Sequence, residues 1–294
     1  MSQQRVFQPF SPMDRADVST ALLTFVTQLK PLLLSGFGEG PSGSRAQRLG
    51  LIHDPNCSQG PFPGRNAMET ALFAALAGVD HLQSLAHALQ RADAAFSTAT
   101  ITRGAVESFA RAWWLIEPES DNEVMYRWLS AMASEMAMLI KVNPSLVLGE
   151  MHGRNTRADE VRQNVLDDIG RLTGSRNPLN VSPTKLATEL GDKTGLQGRW
   201  RYSHLSGVAH GESTGIHGFV DVDDNAGVYR IGLNARWAAM YAHQAFLSAS
   251  YVSRQMLAVL GRSVPPGHPC AVAHDAASEA IVRAHMNAST PSAG

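Results

Sequence analysis

Thr98 to Glu117 reads TATITRGAVESFARAWWLIE, and its pattern decides the fold. The spacing predicts a helix over about 99–117, stopped by Pro118. Arg103, Glu107 and Arg111 recur at steps of four and so lie along one face, drifting slowly round the axis. Ile101, Ala105, Ala112 and Ile116 take other faces, together with Trp113 and Trp114. A helix this apolar is covered on most sides, as in a bundle of helices. Its charges then need partners, because an unpaired buried charge costs several kcal/mol or more. Two arrangements satisfy them. Glu107 can bridge both arginines and hold the bundle in register, or one guanidinium can be left free for an anionic ligand.

Outward from this helix the same periodicity recurs. Residues 66–92 carry a stripe of Met68, Leu72, Leu76, Val79, Leu82, Leu85 and Leu89. Helices are also expected from Ser11-Pro12 onward with Pro31 kinking the end, over 121–141, over 157–173, from Ser182-Pro183 to Gly191, over 197–210 and over 235–260. Residues 142–154 read as a connection. GIHGFVDVDDNAGVYRIG reads as a β-hairpin near 218–232, with FVDV and VYRI flanking the turn DDNAG. The fold class is therefore all-α, an irregular helical bundle with a small β-hairpin insertion. Residues 1–64 form an N-terminal helix and a long Gly/Pro/Ser-rich loop (35–64). Residues 65–264 form the bundle, and 265–294 a weak C-terminal helix with a frayed tail.

A second polar stripe lies in RYSHLSGVAHG, Arg201 to Gly211. Tyr202, Ser206 and His210 share a face by the same four-residue logic, and His210 falls in the last turn, where the helix dipole favours its protonated form. This donor-rich strip suits the Arg103/Glu107/Arg111 strip. Whether the two make a site or a satisfied buried network is open at this level. Arg199, Arg201 and His204 fall on neighbouring faces, either as a solvated basic edge or as contacts to a phosphate backbone.

Composition sets the outer limits. The 294-residue chain can bury a large core; its 44% hydrophobic and 17% charged residues suggest large buried faces or an oligomer interface. A net charge of -1 gives no global attraction for nucleic acid. Cys57 and Cys270 read as unpaired thiols of a reducing compartment. The N-terminus lacks the apolar core of a signal peptide, and the longest apolar run, Ala71 to Val79, is too short to cross a bilayer, so a cytoplasmic protein with no membrane contact is expected. GFGEGPSGS lacks the Lys-Ser/Thr of a phosphate loop, and no G-x-S-x-G elbow occurs. His53, Asp54 and Cys57 in HDPNC lack a second ligand pair, and Asp167-Asp168 and the turn acids Asp221, Asp223 and Asp224 read as solvated chemistry. No metal and no cofactor are expected.

The two motifs, RGAVESFARAWWLIEP and YSHLSGVAHG, resemble a group of bacterial helical proteins of unassigned activity. That group shows an Arg-x-x-x-Glu-x-x-x-Arg-Ala-Trp helix followed by Tyr-x-x-Leu-Ser-x-x-x-His-Gly. More loosely, the chain is similar to the HEPN superfamily of helical bundles. Many of those are RNases that place a histidine four to six residues after an arginine and complete the site across a dimer. The resemblance implies a metal-independent RNase of defence or stress type, with an arginine on the scissile phosphate and a histidine as general acid or base. Arg199 and His204 in RWRYSH have the permitted spacing, although Trp200 replaces the usual polar residue; His210 lies too far from Arg201 to fit. The candidate catalytic residues are His210, His204, Arg199, Arg111 and Glu107, with Arg103, Tyr202 and Ser206 as ligand contacts. The expected partners are RNA or an anionic small molecule and a second copy of the chain. The alternatives are a non-catalytic module binding an anionic small molecule or protein partner, or polar strips that serve only as bundle glue.

Overall fold

The computed structural model describes residues 7–35, 41–151, 154–223 and 228–289. Helix α1 (Pro12–Leu34) begins at Ser11, whose Oγ accepts the Asp14 N–H at 3.0 Å, and it runs on through Pro31. The stretch read as one long loop contains a short helix, α2 (Arg45–Gly50), capped by Ser44 and pinned by the fully buried Leu49. Six residues are too few to show a period. Helix α3 (Pro63–Leu89) opens with proline at its first position, and α4 (Ala95–Ile116) and α5 (Asp121–Val142) follow.

The segment read as a connection forms a hairpin of β1 (Val147–Met151) and β2 (Arg154–Arg157). Helix α6 (Ala158–Thr173) ends at Gly174, whose φ of 79° terminates it. Helix α7 (Pro183–Lys193) does not stop at Gly191. That glycine is buried where α8 (Gly198–Ala209) crosses, and a Cβ there would lie 2.5 Å from the Gly198 Cα. The short α9 (Ser213–Ile216) leads into the expected hairpin of β3 (Val220–Asp223) and β4 (Val228–Ile231), paired Val220 to Ile231 and Val222 to Tyr229. Most of its turn, residues 224–227, lies outside the described residues.

Helix α10 (Ala235–Val259) starts at Asn234, which accepts two backbone N–H groups. Helix α11 (Pro269–Ser289) is a full 21-residue element that carries Met286 to Ser289 within it; the rest of the expected frayed tail lies outside the described residues. Its buried face is Ala273, Ala277, Ala280, Ile281 and Ala284, so small that the sequence signal is weak. One apolar core runs through α1, α3, α4, α5, α6, α7, α10 and α11, so the N- and C-terminal segments are packed into the bundle. A second, smaller core joins α4, α8 and α10 around Phe219 and Tyr241. The protein is an all-α bundle with short hairpins, and among the described residues no helix is long and apolar enough to cross a membrane.

Candidate functional site

Helix α4 is enclosed by α3, α10, α7 and α8, which buries most of its circumference. Its polar strip emerges where α8 crosses it. Glu107 Oε1 accepts the Tyr202 hydroxyl at 2.6 Å and the Arg103 Nε–H at 2.7 Å. A carboxylate oxygen between two donors makes charge-assisted bonds, stronger than neutral ones. Tyr202 is buried, while Arg103 and Glu107 keep 25% and 29% of their side-chain surface, so the network lies at the edge of the core. The Arg103 guanidinium also lies 5.6 Å from the centroid of the Tyr202 ring, within cation–π range. The hydrogen bond to Glu107 holds the Arg103 proton more firmly than usual, and burial holds the Tyr202 hydroxyl neutral above its ordinary range.

The other edge of Arg103 reaches the end of α8. Its Nη1 lies 3.1 Å from His210 Nε2. Guanidinium has donors only, so a hydrogen bond at this distance needs Nε2 as its acceptor. The ring is exposed at the C-cap, and its backbone N–H donates to Ser206 O at 3.0 Å.

Four of the candidate residues therefore meet: Arg103, Glu107, Tyr202 and His210. Arg111 does not join them. Eight residues carry it about 80° round the helix from Arg103, and it pairs with Glu135 on α5. The Arg/Glu/Arg bridge is thus split between two networks. The Ser206 carbonyl accepts the His210 N–H, an ordinary helical bond at the end of α8. Thr184 of α7 was missed; its Oγ1 lies 3.5 Å from the Tyr202 hydroxyl, and nothing in its helix-start context marks it.

The Arg199/His204 pair does not assemble either. Five residues separate them by about 140° on a helix. Arg199 is exposed, whereas His204 stacks on Trp237 with centroids 3.9 Å apart and bonds Tyr241 Oη at 2.9 Å. Burial pushes His204 down to about 4. At neutral pH it is an uncharged member of an aromatic stack, and its Nε2 is engaged by the Tyr241 hydroxyl.

The HDPNC loop has a structural role. Asp168 of α6, buried, accepts from Ser58 N, Ser58 Oγ and Arg171, and Cys57 Sγ lies 3.7 Å away. Burial, reinforced by Asp168, pushes the Cys57 thiol up to about 11, so it is not a thiolate. No group of three His, Cys, Asp or Glu side chains able to hold a metal occurs among the described residues. No protein-family model matches this chain, and no curated protein sequence and no solved structure is significantly similar to it.

Proposed function

We propose that the protein is a helical module that binds an anionic ligand, with Arg103 and His210 as the contacts and Glu107 and Tyr202 as positioning residues. One observation carries this: the guanidinium is fixed on its Nε edge by Glu107, while its Nη1 edge meets an exposed imidazole from a helix more than 100 residues away. An incoming phosphoryl oxygen can accept from that edge, and from the imidazole once it is protonated. The test is stabilisation on heating by inorganic phosphate and by a short RNA, for the wild type, Arg103→Ala and Arg111→Ala. The expected result is loss of the effect in Arg103→Ala and its retention in Arg111→Ala. Equal stabilisation of both variants sinks the reading.

A second reading, the metal-independent RNase implied by the HEPN resemblance, is favoured by the same pair. A neutral imidazole nitrogen beside a guanidinium is what deprotonation of a ribose 2′-hydroxyl next to a held phosphate requires. The acting histidine would be His210 and not His204. Labelled RNA incubated in chelator should be cleaved by the wild type and by His204→Ala but not by His210→Ala; cleavage insensitive to His210→Ala ends this reading. A reducing, cytoplasmic setting is supported by the two buried, unpaired thiols, Cys57 and Cys270.

A further inference from the structure

A second basic cluster lies on a different face of α8. Trp200 and Arg201 border a cavity of about 450 Å³, closed by Arg236 and Met240 of α10 and by His285 and Ser289 of α11. That volume is within the range of about 300–1,000 Å³ typical of small-molecule sites. His243, one turn beyond Met240, has its ring 6.5 Å from that of His285.

The charges here are unbalanced. Arg103, Arg111, Arg127 and Arg171 each have a carboxylate partner. Arg201 has none among the described residues, and its Nη1 is buried with no hydrogen-bond partner. The Arg236 guanidinium lies 5.9 Å from the centroid of the Trp237 ring and has no carboxylate partner among the described residues. No acidic side chain lines the cavity among the described residues. Burial lowers the Arg201 proton affinity, and His243 is pushed down to about 4 by burial first, then by Arg201 and His285. Arg201 keeps part of its surface in solvent, but its buried Nη1 lacks a partner among the described residues, and an anion in the cavity would supply one.

We infer that this cavity binds a phosphomonoester carrying a planar ring, a nucleoside monophosphate being the matching class. Arg201 and Arg236 take the phosphate oxygens, and their two charges match the roughly -1.5 to -2 of a phosphomonoester at neutral pH. Trp200, 51% exposed at the rim, offers an indole face for the ring to stack on. The site is separate from Arg103 and His210, and neither proposal depends on the other.

The test uses the full chain and isothermal titration with AMP, adenosine and inorganic phosphate. AMP should bind, and both fragments should bind about tenfold or more weakly. Arg201→Met should weaken AMP by about tenfold or more, and Arg236→Ala should weaken it in the same direction. Arg201→Met should also raise slightly the melting temperature of the unliganded protein, because it removes a part-buried charge whose Nη1 has no partner among the described residues; an ordinary structural arginine would do the reverse. Should Arg201→Met fail to fold, that prediction of higher stability is already overturned, and the exposed Arg236→Ala decides the binding claim. Trp200→Ala should remove the advantage of AMP over inorganic phosphate. The inference is overturned if AMP shows no binding at millimolar concentration, if adenosine binds as well as AMP, or if AMP affinity follows Arg103→Ala instead of Arg201→Met.

Discussion

Replacing His204 by phenylalanine separates two contributions of one ring. His204 lies face to face with Trp237 and is bonded to the hydroxyl of the fully buried Tyr241. Its folded-state value is about 4 against an ordinary 6.5, and His243 shows the same displacement. Between those limits the unfolded chain takes up protons at both rings and the folded chain does not. Stability from this source is therefore complete above pH 6.5 and is lost as the pH falls towards 4. A shift of this size has a ceiling of about 3 kcal/mol per ring. Partial solvent contact of His204 reduces the expected figure to about 1–2 kcal/mol. His204→Phe keeps the stack but leaves the Tyr241 hydroxyl unpaired, which costs about 1–3 kcal/mol at pH 7.5. The variant should thus be less stable than the wild type at pH 7.5, and the two should converge as the pH falls. Urea unfolding followed by circular dichroism at pH 7.5, 6.0, 5.0 and 4.5 measures both. A variant that loses stability in acid as steeply as the wild type would refute the reasoning, as would a His204 titration near 6.5 by NMR.

Three further outcomes follow from the packing. Arg111→Ala removes a part-exposed pair with Glu135 and should cost at most about 1 kcal/mol in urea unfolding; a much larger loss would mean that the bridge holds α4 to α5. Gly78→Ala puts a Cβ 2.8 Å from the buried Phe109 ring where α3 meets α4. It should cost about 1–3 kcal/mol through overpacking, and a melting point equal to wild type would show the contact to be slack. The low charged fraction predicts a homodimer, which light scattering at micromolar concentration would reject by returning a mass near 31.6 kDa.

The long helices were legible because their buried stripes are large side chains at helical spacing: Leu72, Val79, Leu82, Leu85 and Leu89 on α3 are all buried. Helix α11 reads weakly because alanines fill its inner face, and α2 because it is held by one leucine and a serine cap. The β1–β2 hairpin lacks alternation, since VLGEM places Val147 and Leu148 side by side and RNTR has no apolar residue. Four-residue spacing found the Arg103–Glu107 pair on α4, and Tyr202 and His210 of α8 reach its two edges. It failed for Arg111, which pairs with Glu135, a partner supplied by another helix. It also missed the Arg201 cavity, whose walls come from α8, α10 and α11 and share no local pattern.

The candidate site exists because α4 and α8 meet through Glu107 and Tyr202, 95 positions apart in the chain. A double-mutant cycle of Glu107→Gln and Tyr202→Phe, read by urea unfolding at neutral pH, tests that contact. A coupling energy of about 1 kcal/mol or more is predicted for this charge-assisted bond. Strictly additive single-variant effects, within about 0.3 kcal/mol, would contradict it.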